Sequence, residues 1–138
     1  MKRDKRDDVF SKLIRERAGW CCERCEKFYP EGYRQGLHCS HLYSRRHRGT
    51  RWHPDNAFSH CYACHQYLGG NPVEYHLWAR ERMGDGLLEL VRERHHTITK
   101  YTKKDLEELH KHLKAEHKGM LAKRADGVMG RIDFEAWD

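Results

Sequence analysis

Two Cys-x-x-Cys pairs, Cys22/Cys25 and Cys61/Cys64, carry the strongest chemical signal in the sequence. A two-residue gap lets one tight turn present two thiolates to the same ion, and two such knuckles supply the four donors that a tetrahedral structural zinc takes. Free cysteines buried in a core need no such matched spacing. Cys21-x-x-x-Cys25 is a second way to form the first pair, but the two-residue gap favours Cys22. Cys39 is left over and reads as a small strand residue facing the core.

Between and after the knuckles stand His41, Asn56 and His65, the last directly following Cys64. Hydrolysis of a phosphodiester needs a base to deprotonate water and a cation to neutralise charge on the phosphate and the leaving oxygen. A histidine that titrates near its ordinary value of about 6.5 suits the first task, and a histidine-held divalent ion suits the second. Taken singly, each of the three has a bland reading: a strand histidine, a turn asparagine, a surface histidine. Their order, threaded between zinc knuckles, is what points to chemistry. Arg45, Arg46, Arg48 and Arg51 cluster between His41 and Asn56, and guanidinium groups offer paired donors to phosphate. Arg45, Arg46, Arg48 and Arg51 are therefore expected to bind phosphate, with Arg51 on the scissile or leaving phosphate. Arg80, Arg82, Arg92 and Arg94 either extend that track or are the wet faces of helices, and for Tyr43 and Trp52 core packing outweighs base stacking.

The elements that must position these groups are legible in outline. Val9, Phe10, Leu13, Ile14 and Ala18 recur at helical spacing from Asp8, with Asp7 or Asp8 as cap and Gly19 as stop. Residues 26–36, with Pro30, Gly32 and Gly36, read as a loop. Leu37, Cys39 and His41 alternate with His38 and Ser40, which predicts a short strand, and Ser44 to Thr50 reads as an exposed basic turn. A second extended segment is expected through Arg51-Trp52-His53, a turn at Pro54-Asp55-Asn56, and a short helix from Cys61 to Leu68 stopped by Gly69-Gly70. Beyond it, Asn71 and Pro72 open a helix to about Met83 that buries Val73, Leu77 and Trp78. Leu87, Leu88, Leu90 and Val91 mark the next helix. Thr102 with Asp105 caps a third, which carries Leu106, Leu109 and Leu113 on one face. Residues 119–138 show no clear period.

Composition fits this picture. The 138 residues include 27 Lys and Arg against 21 Asp and Glu, a formal charge of +6, which favours a polyanionic partner. Twelve histidines raise the prospect of metal or acid–base chemistry. With 35% charged residues and a mean hydropathy of -1.05, the chain is polar for one that folds on burial alone, so a metal staple would help. No apolar run approaches membrane-spanning length, and no apolar segment follows the basic start to make a secretory leader. A reducing cytosol is the expected compartment, where cysteines serve as thiols or metal ligands.

The order His41, then Asn56, then Cys61-Tyr62-Ala63-Cys64-His65 resembles the HNH nucleases that carry zinc knuckles. It is similar to one branch of them, the phage NinG (Rap) recombination nucleases. The resemblance rests on Ser40-His41-Leu42-Tyr43-Ser44-Arg45, on Arg51-Trp52-His53-Pro54-Asp55-Asn56, on Cys61 to His65, and on Gly70-Asn71-Pro72-Val73-Glu74-Tyr75. It covers roughly residues 8–115, with its specific part at 37–75. It implies an α+β fold, mainly helical overall. A zinc-stapled ββα-metal core at about 37–70 would lie within one nuclease domain over 1–138, with a helical part at about 72–118. It implies endonuclease action on branched recombination intermediates such as Holliday junctions and D-loops, in the host cytosol if the chain is phage-encoded. His41 would be the general base, Asn56 would orient the hairpin loop or the base, and His65 would ligate a catalytic Mg²⁺ or Mn²⁺. Many such nucleases place an Asp or His ligand directly before the base, where this chain has Ser40. Either Ser40 joins the ion, weakly or through water, or a neighbour such as His38 or His60 completes the shell. A symmetric cutter of four-way junctions is expected to be a homodimer, whereas a monomer would nick flaps or D-loops. The competing readings are a zinc-ribbon module that binds DNA without cutting it, and a zinc-stapled interaction protein.

Overall fold

The structure is a computed structural model that describes residues 2–138. It is mixed α+β and mostly helical. Helix α1 (Lys5–Arg17) begins earlier than the apolar period suggests. Asp4, not Asp7 or Asp8, is its cap, accepting from the N–H groups of Arg6 and Asp7, while Asp7 accepts in return from the N–H of Asp4. That reciprocal pair satisfies N–H groups that the first turn leaves open.

Strand β1 (Leu37–His41) forms where the alternation predicts it. Its partner does not. The second strand is β2 (Ala57–Cys61), antiparallel to β1 with Leu37 opposite Cys61 and His41 opposite Ala57. The segment expected to be extended at Arg51-Trp52-His53 instead ends a short helix, α2 (Arg48–Arg51), and a 3-10 turn over Pro54–Asn56 leads into β2. Asn56 thus precedes a strand and not a helix. All five residues of β2 are buried. With both faces covered, the strand shows no polar alternation, which hid it.

Helix α3 (Tyr62–Gly69) follows β2 directly, and α4 (Pro72–Met83), α5 (Asp85–His96) and α6 (Lys103–Ala125) complete the chain. One side of the β-pair packs Ala57 against Phe10, Leu13 and Ile14 of α1 and Leu109, Leu113 and Met120 of α6. The other side packs Phe58 against Leu68, Tyr75 and Ala79. The buried face of α4 is therefore Tyr75 and Ala79. Val73 and Leu77, expected inside, are 72% and 46% exposed. Of the α5 leucines, Leu87 and Leu90 are exposed, and Val91 is the residue that buries. Thr102 and Asp105 form the expected capping box on α6. This helix runs past the residues where the sequence loses its period, and the following tail returns Ile132 and Phe134 to the core. Among the described residues no helix is long and apolar enough to cross a membrane.

A buried carboxylate ties the parts together. Glu23 accepts from Arg82 at 2.7 Å, from Arg131 at 2.8 Å and from the N–H of Ser59 at 2.7 Å. The loop carrying the first knuckle is thereby fixed to α4, to the C-terminal tail and to β2.

Candidate metal centre and adjoining cavity

The sulfur atoms of Cys22, Cys25, Cys61 and Cys64 all lie within 4.8 Å of one another. The first knuckle is a turn closed by the N–H of Glu26 donating to the carbonyl of Cys22 at 2.8 Å, with Glu26 in the left-handed region at φ 67°. In each knuckle the N–H of the second cysteine donates to the sulfur of the first at 3.4 Å. Cys61 is also the cap of α3, so the second knuckle is the start of a helix. Four thiols this close cannot all ionise on their own. Burial, with its neighbouring thiols, pushes Cys64 up to about 12, whereas hydrogen bonds outweigh burial at Cys61 and bring it down to about 7. A divalent ion among them would relieve that conflict, and four sulfur donors at tetrahedral spacing suit zinc. Cys21 points away toward the carbonyl of Gly19, and Cys39 packs beside the α1–α6 core.

Beside β1 opens a cavity of about 470 Å³ whose lining includes His38, His41 and His65, with Arg3, Arg15, Arg34 and Arg45 around them. His41 lies within 3.1 Å of the carbonyl of Arg51 through Nε2. A carbonyl only accepts, so Nε2 carries the hydrogen and Nδ1 keeps its lone pair. Burial pushes His41 down to about 4, below the ordinary value near 6.5 expected from sequence. Its ring should therefore stay neutral at pH 5.5, which a titration of its ring proton resonances would show. The sign for stability follows. The unfolded ring takes up a proton below about 6.5 while the folded one resists until about 4. His41 thus favours folding fully above the first value, and that contribution is lost as pH falls toward the second. A His41 resonance that titrates at or above 6.5 would contradict this.

His38 and His65 face each other with their Nδ1 atoms 2.9 Å apart. His38 Nε2 is 2.9 Å from the carbonyl of Gln35, so it carries the hydrogen and the lone pair of His38 is on Nδ1. The His65 Nδ1 either donates to that lone pair or turns its own lone pair toward a shared cation. Of the two neighbours named from sequence, His38 is the one beside His65. His60 is fully buried among Phe58, Tyr75 and Trp78.

Ser40 is not at this cavity. It is fully buried and meets the Tyr75 hydroxyl at 2.8 Å, away from the residues that line the cavity. Asn56 is also fully buried. Its side chain accepts from the N–H of Tyr43 at 2.8 Å and donates to the carbonyls of Tyr43 at 2.9 Å and Thr50 at 3.1 Å. It ties the loop after β1, at Tyr43, to the last turn of α2, at Thr50, next to the Arg51 carbonyl.

The four arginines read as one patch separate in space. Arg45 lines the cavity, while Arg46 and Arg48 are exposed on a separate shoulder, beside His95 and His96. Arg51 is 4% exposed and lines neither place, so the structure removes it from the phosphate-binding set. Its guanidinium donates to both carboxylate oxygens of Asp7, which also accepts from the Trp52 indole at 3.1 Å. Burial works against the Asp7 charge, but the hydrogen bonds and charge of Arg51 outweigh it and hold its pKa below the ordinary value. Asp7→Ala takes from the buried guanidinium its closest counter-charge, leaving only Asp4 at 4.0 Å and the Lys2 carbonyl, and should cost about 3–5 kcal/mol in denaturant unfolding. An unchanged unfolding midpoint would show that Arg51 is not held in this way. Sequence reasoning missed Arg3, Arg15 and Arg34. The available signal was the stripe Asp7, Ser11, Arg15, three polar residues at four-residue spacing on α1, all buried.

The family model of the bacteriophage lambda NinG protein matches residues 3–123. No curated protein and no solved structure matches the chain.

Proposed function

The chain belongs to the bacteriophage lambda NinG family, and from that premise we propose that it is a metal-dependent DNA endonuclease stapled by zinc at Cys22, Cys25, Cys61 and Cys64. The observation that carries this reading is the convergence of a histidine with a free lone pair, a facing histidine pair and several arginines on one cavity. The β1, β2, α3 order, with the second knuckle at the head of α3, is the frame expected of a ββα-metal nuclease.

In this reading His41 accepts the proton of the attacking water at Nδ1. The Arg51 carbonyl holds the ring from behind, and Asn56 holds the last turn of α2 that supplies the carbonyl. The water oxygen bonds to phosphorus, and the bond from phosphorus to the leaving sugar oxygen breaks, giving one phosphomonoester end and one hydroxyl end. A Mg²⁺ or Mn²⁺ ion held by His38 and His65 would neutralise charge on the phosphate and the leaving oxygen. Two imidazole ligands favour Mn²⁺ over Mg²⁺. Ser40 has no part in that shell. The proposed substrate is DNA, including branched recombination intermediates, and symmetric cutting of a four-way junction would be the work of a homodimer. Single-turnover cleavage of labelled linear, forked and four-way DNA by zinc-loaded protein, with and without added Mn²⁺, tests the activity and its preference together.

Arg46 and Arg48 are exposed, make no ion pair among the described residues, and would meet phosphates outside the cavity. Each phosphate contact on duplex DNA contributes about 0.9 to the slope of log affinity against log salt. The double replacement Arg46→Ala, Arg48→Ala should therefore flatten that slope by up to about 1.8. A slope equal to that of the wild type would make this shoulder an ordinary solvated surface.

A further inference from the structure

Arg15 is a buried cation without a counter-charge. It lies on α1, is 4% exposed and lines the same cavity as His41 and His65. One terminal nitrogen donates to the hydroxyl of Ser11 at 3.3 Å, and its Nε finds no acceptor. The guanidinium lies over the Trp20 ring at 5.5 Å, which offsets part of the cost of burial. Nothing else does. Among the described residues no carboxylate sets its charge, and the nearby Arg3 and Arg34 add like charge. Asp7, the carboxylate of this cavity, is already taken by Arg51 and Trp52, and Asp8 is paired with Arg3. Cys39 beside it is held as a neutral thiol, since burial pushes it up to about 12. Taking a charge out of water without pairing it costs several kcal/mol in proteins, so a fold that keeps such a group at a cavity wall points to an anion supplied from outside.

We propose that Arg15, with Arg34 at the rim, forms a phosphate site in the wall of this cavity, and that its occupant is a DNA phosphate next to the one being cut. The assignment to DNA rests on the endonuclease reading, and the anion site does not. A guanidinium fork suits a phosphate because it presents two parallel donors. Its place in the cavity that carries the histidines would fix the strand relative to His41. Arg15 is thus a positioning residue that touches the substrate backbone away from the reacting bond.

The test uses the full zinc-loaded chain with no Mg²⁺ or Mn²⁺ added. Inorganic phosphate should raise the unfolding temperature of the wild type, and should shift the Arg15 side-chain N–H resonance. Arg15→Met keeps the length of the side chain and removes the charge. Without phosphate it should be at least as stable as the wild type, because it removes an uncompensated charge; a purely structural arginine would be missed. Its phosphate affinity should fall about 10- to 100-fold, the range for lost charged hydrogen bonds, and its affinity for a short oligonucleotide should fall with it. Equal stabilisation of wild type and Arg15→Met by phosphate would overturn the site, as would no stabilisation of either. If Arg15→Met does not fold, the wild-type resonance decides: a shift on adding phosphate supports the site, and no shift overturns it. Phosphate binding through Arg15 with unchanged oligonucleotide affinity would overturn the assignment to DNA and leave a free phosphate as the ligand. No arm involves cleavage, so a protein that binds phosphate here and fails to cut would count against the endonuclease reading alone.

Discussion

Replacing any one of Cys22, Cys25, Cys61 or Cys64 with serine should yield a chain that lacks tightly bound zinc and a cooperative fold. The four sulfurs lie within 4.8 Å of one another, and the knuckles connect the loop after α1 to the junction of β2 and α3. The apolar support there is small: Trp20 and Leu37, with Tyr29 at the edge. Structural zinc in small peptides contributes roughly 10–16 kcal/mol apparent, comparable to or larger than the net stability of a whole domain at about 5–15 kcal/mol. The rest of the core therefore cannot make up the loss. Cys21→Ser and Cys39→Ser should be milder, because neither sulfur reaches the cluster. Metal analysis with thermal unfolding by circular dichroism checks both sets. One zinc per chain in the wild type and its loss with the fold in the four variants is the expected result. A well-folded wild type free of zinc would remove the staple from the account.

The three cavity histidines should separate by what each does. His41→Ala should leave zinc content and DNA binding unchanged and lower the single-turnover rate by about 10²–10⁴, the range for a lost general base. Raising Mn²⁺ should not restore it, since a proton acceptor and not an ion ligand is gone. His38→Ala and His65→Ala should each weaken the hold on the catalytic ion, and high Mn²⁺ should recover part of their rate. The 2.9 Å approach of the two Nδ1 atoms is the reason for treating them as a pair. Rescue of His41→Ala and not of the other two would exchange the assigned roles.

The features legible in the sequence are those set by local spacing. The cysteine pairs, the capping box of Thr102 and Asp105 and the limits of α4 need only neighbours along the chain. The features that were not legible depend on contacts across the fold. Arg51 sits in a basic run that looks like a phosphate loop, yet its partner is Asp7, far back on α1. β2 is covered on both sides, so its residues carry no alternation to read. Arg15 has the sequence look of a wet helix face and is instead part of a cavity wall. His38 stands three positions before His41, and only the placement of α3 brings it to His65.

The central claim, that this chain cuts DNA, is tested most directly by incubating supercoiled plasmid with the zinc-loaded protein, with Mg²⁺ or Mn²⁺ added and with neither. The account predicts nicked circles that require the added ion, appear faster with Mn²⁺, and are lost in His41→Ala at a concentration where that variant still binds the plasmid. Plasmid bound but intact under every condition would contradict it, and would make the chain a zinc-stapled module that holds DNA without cutting it.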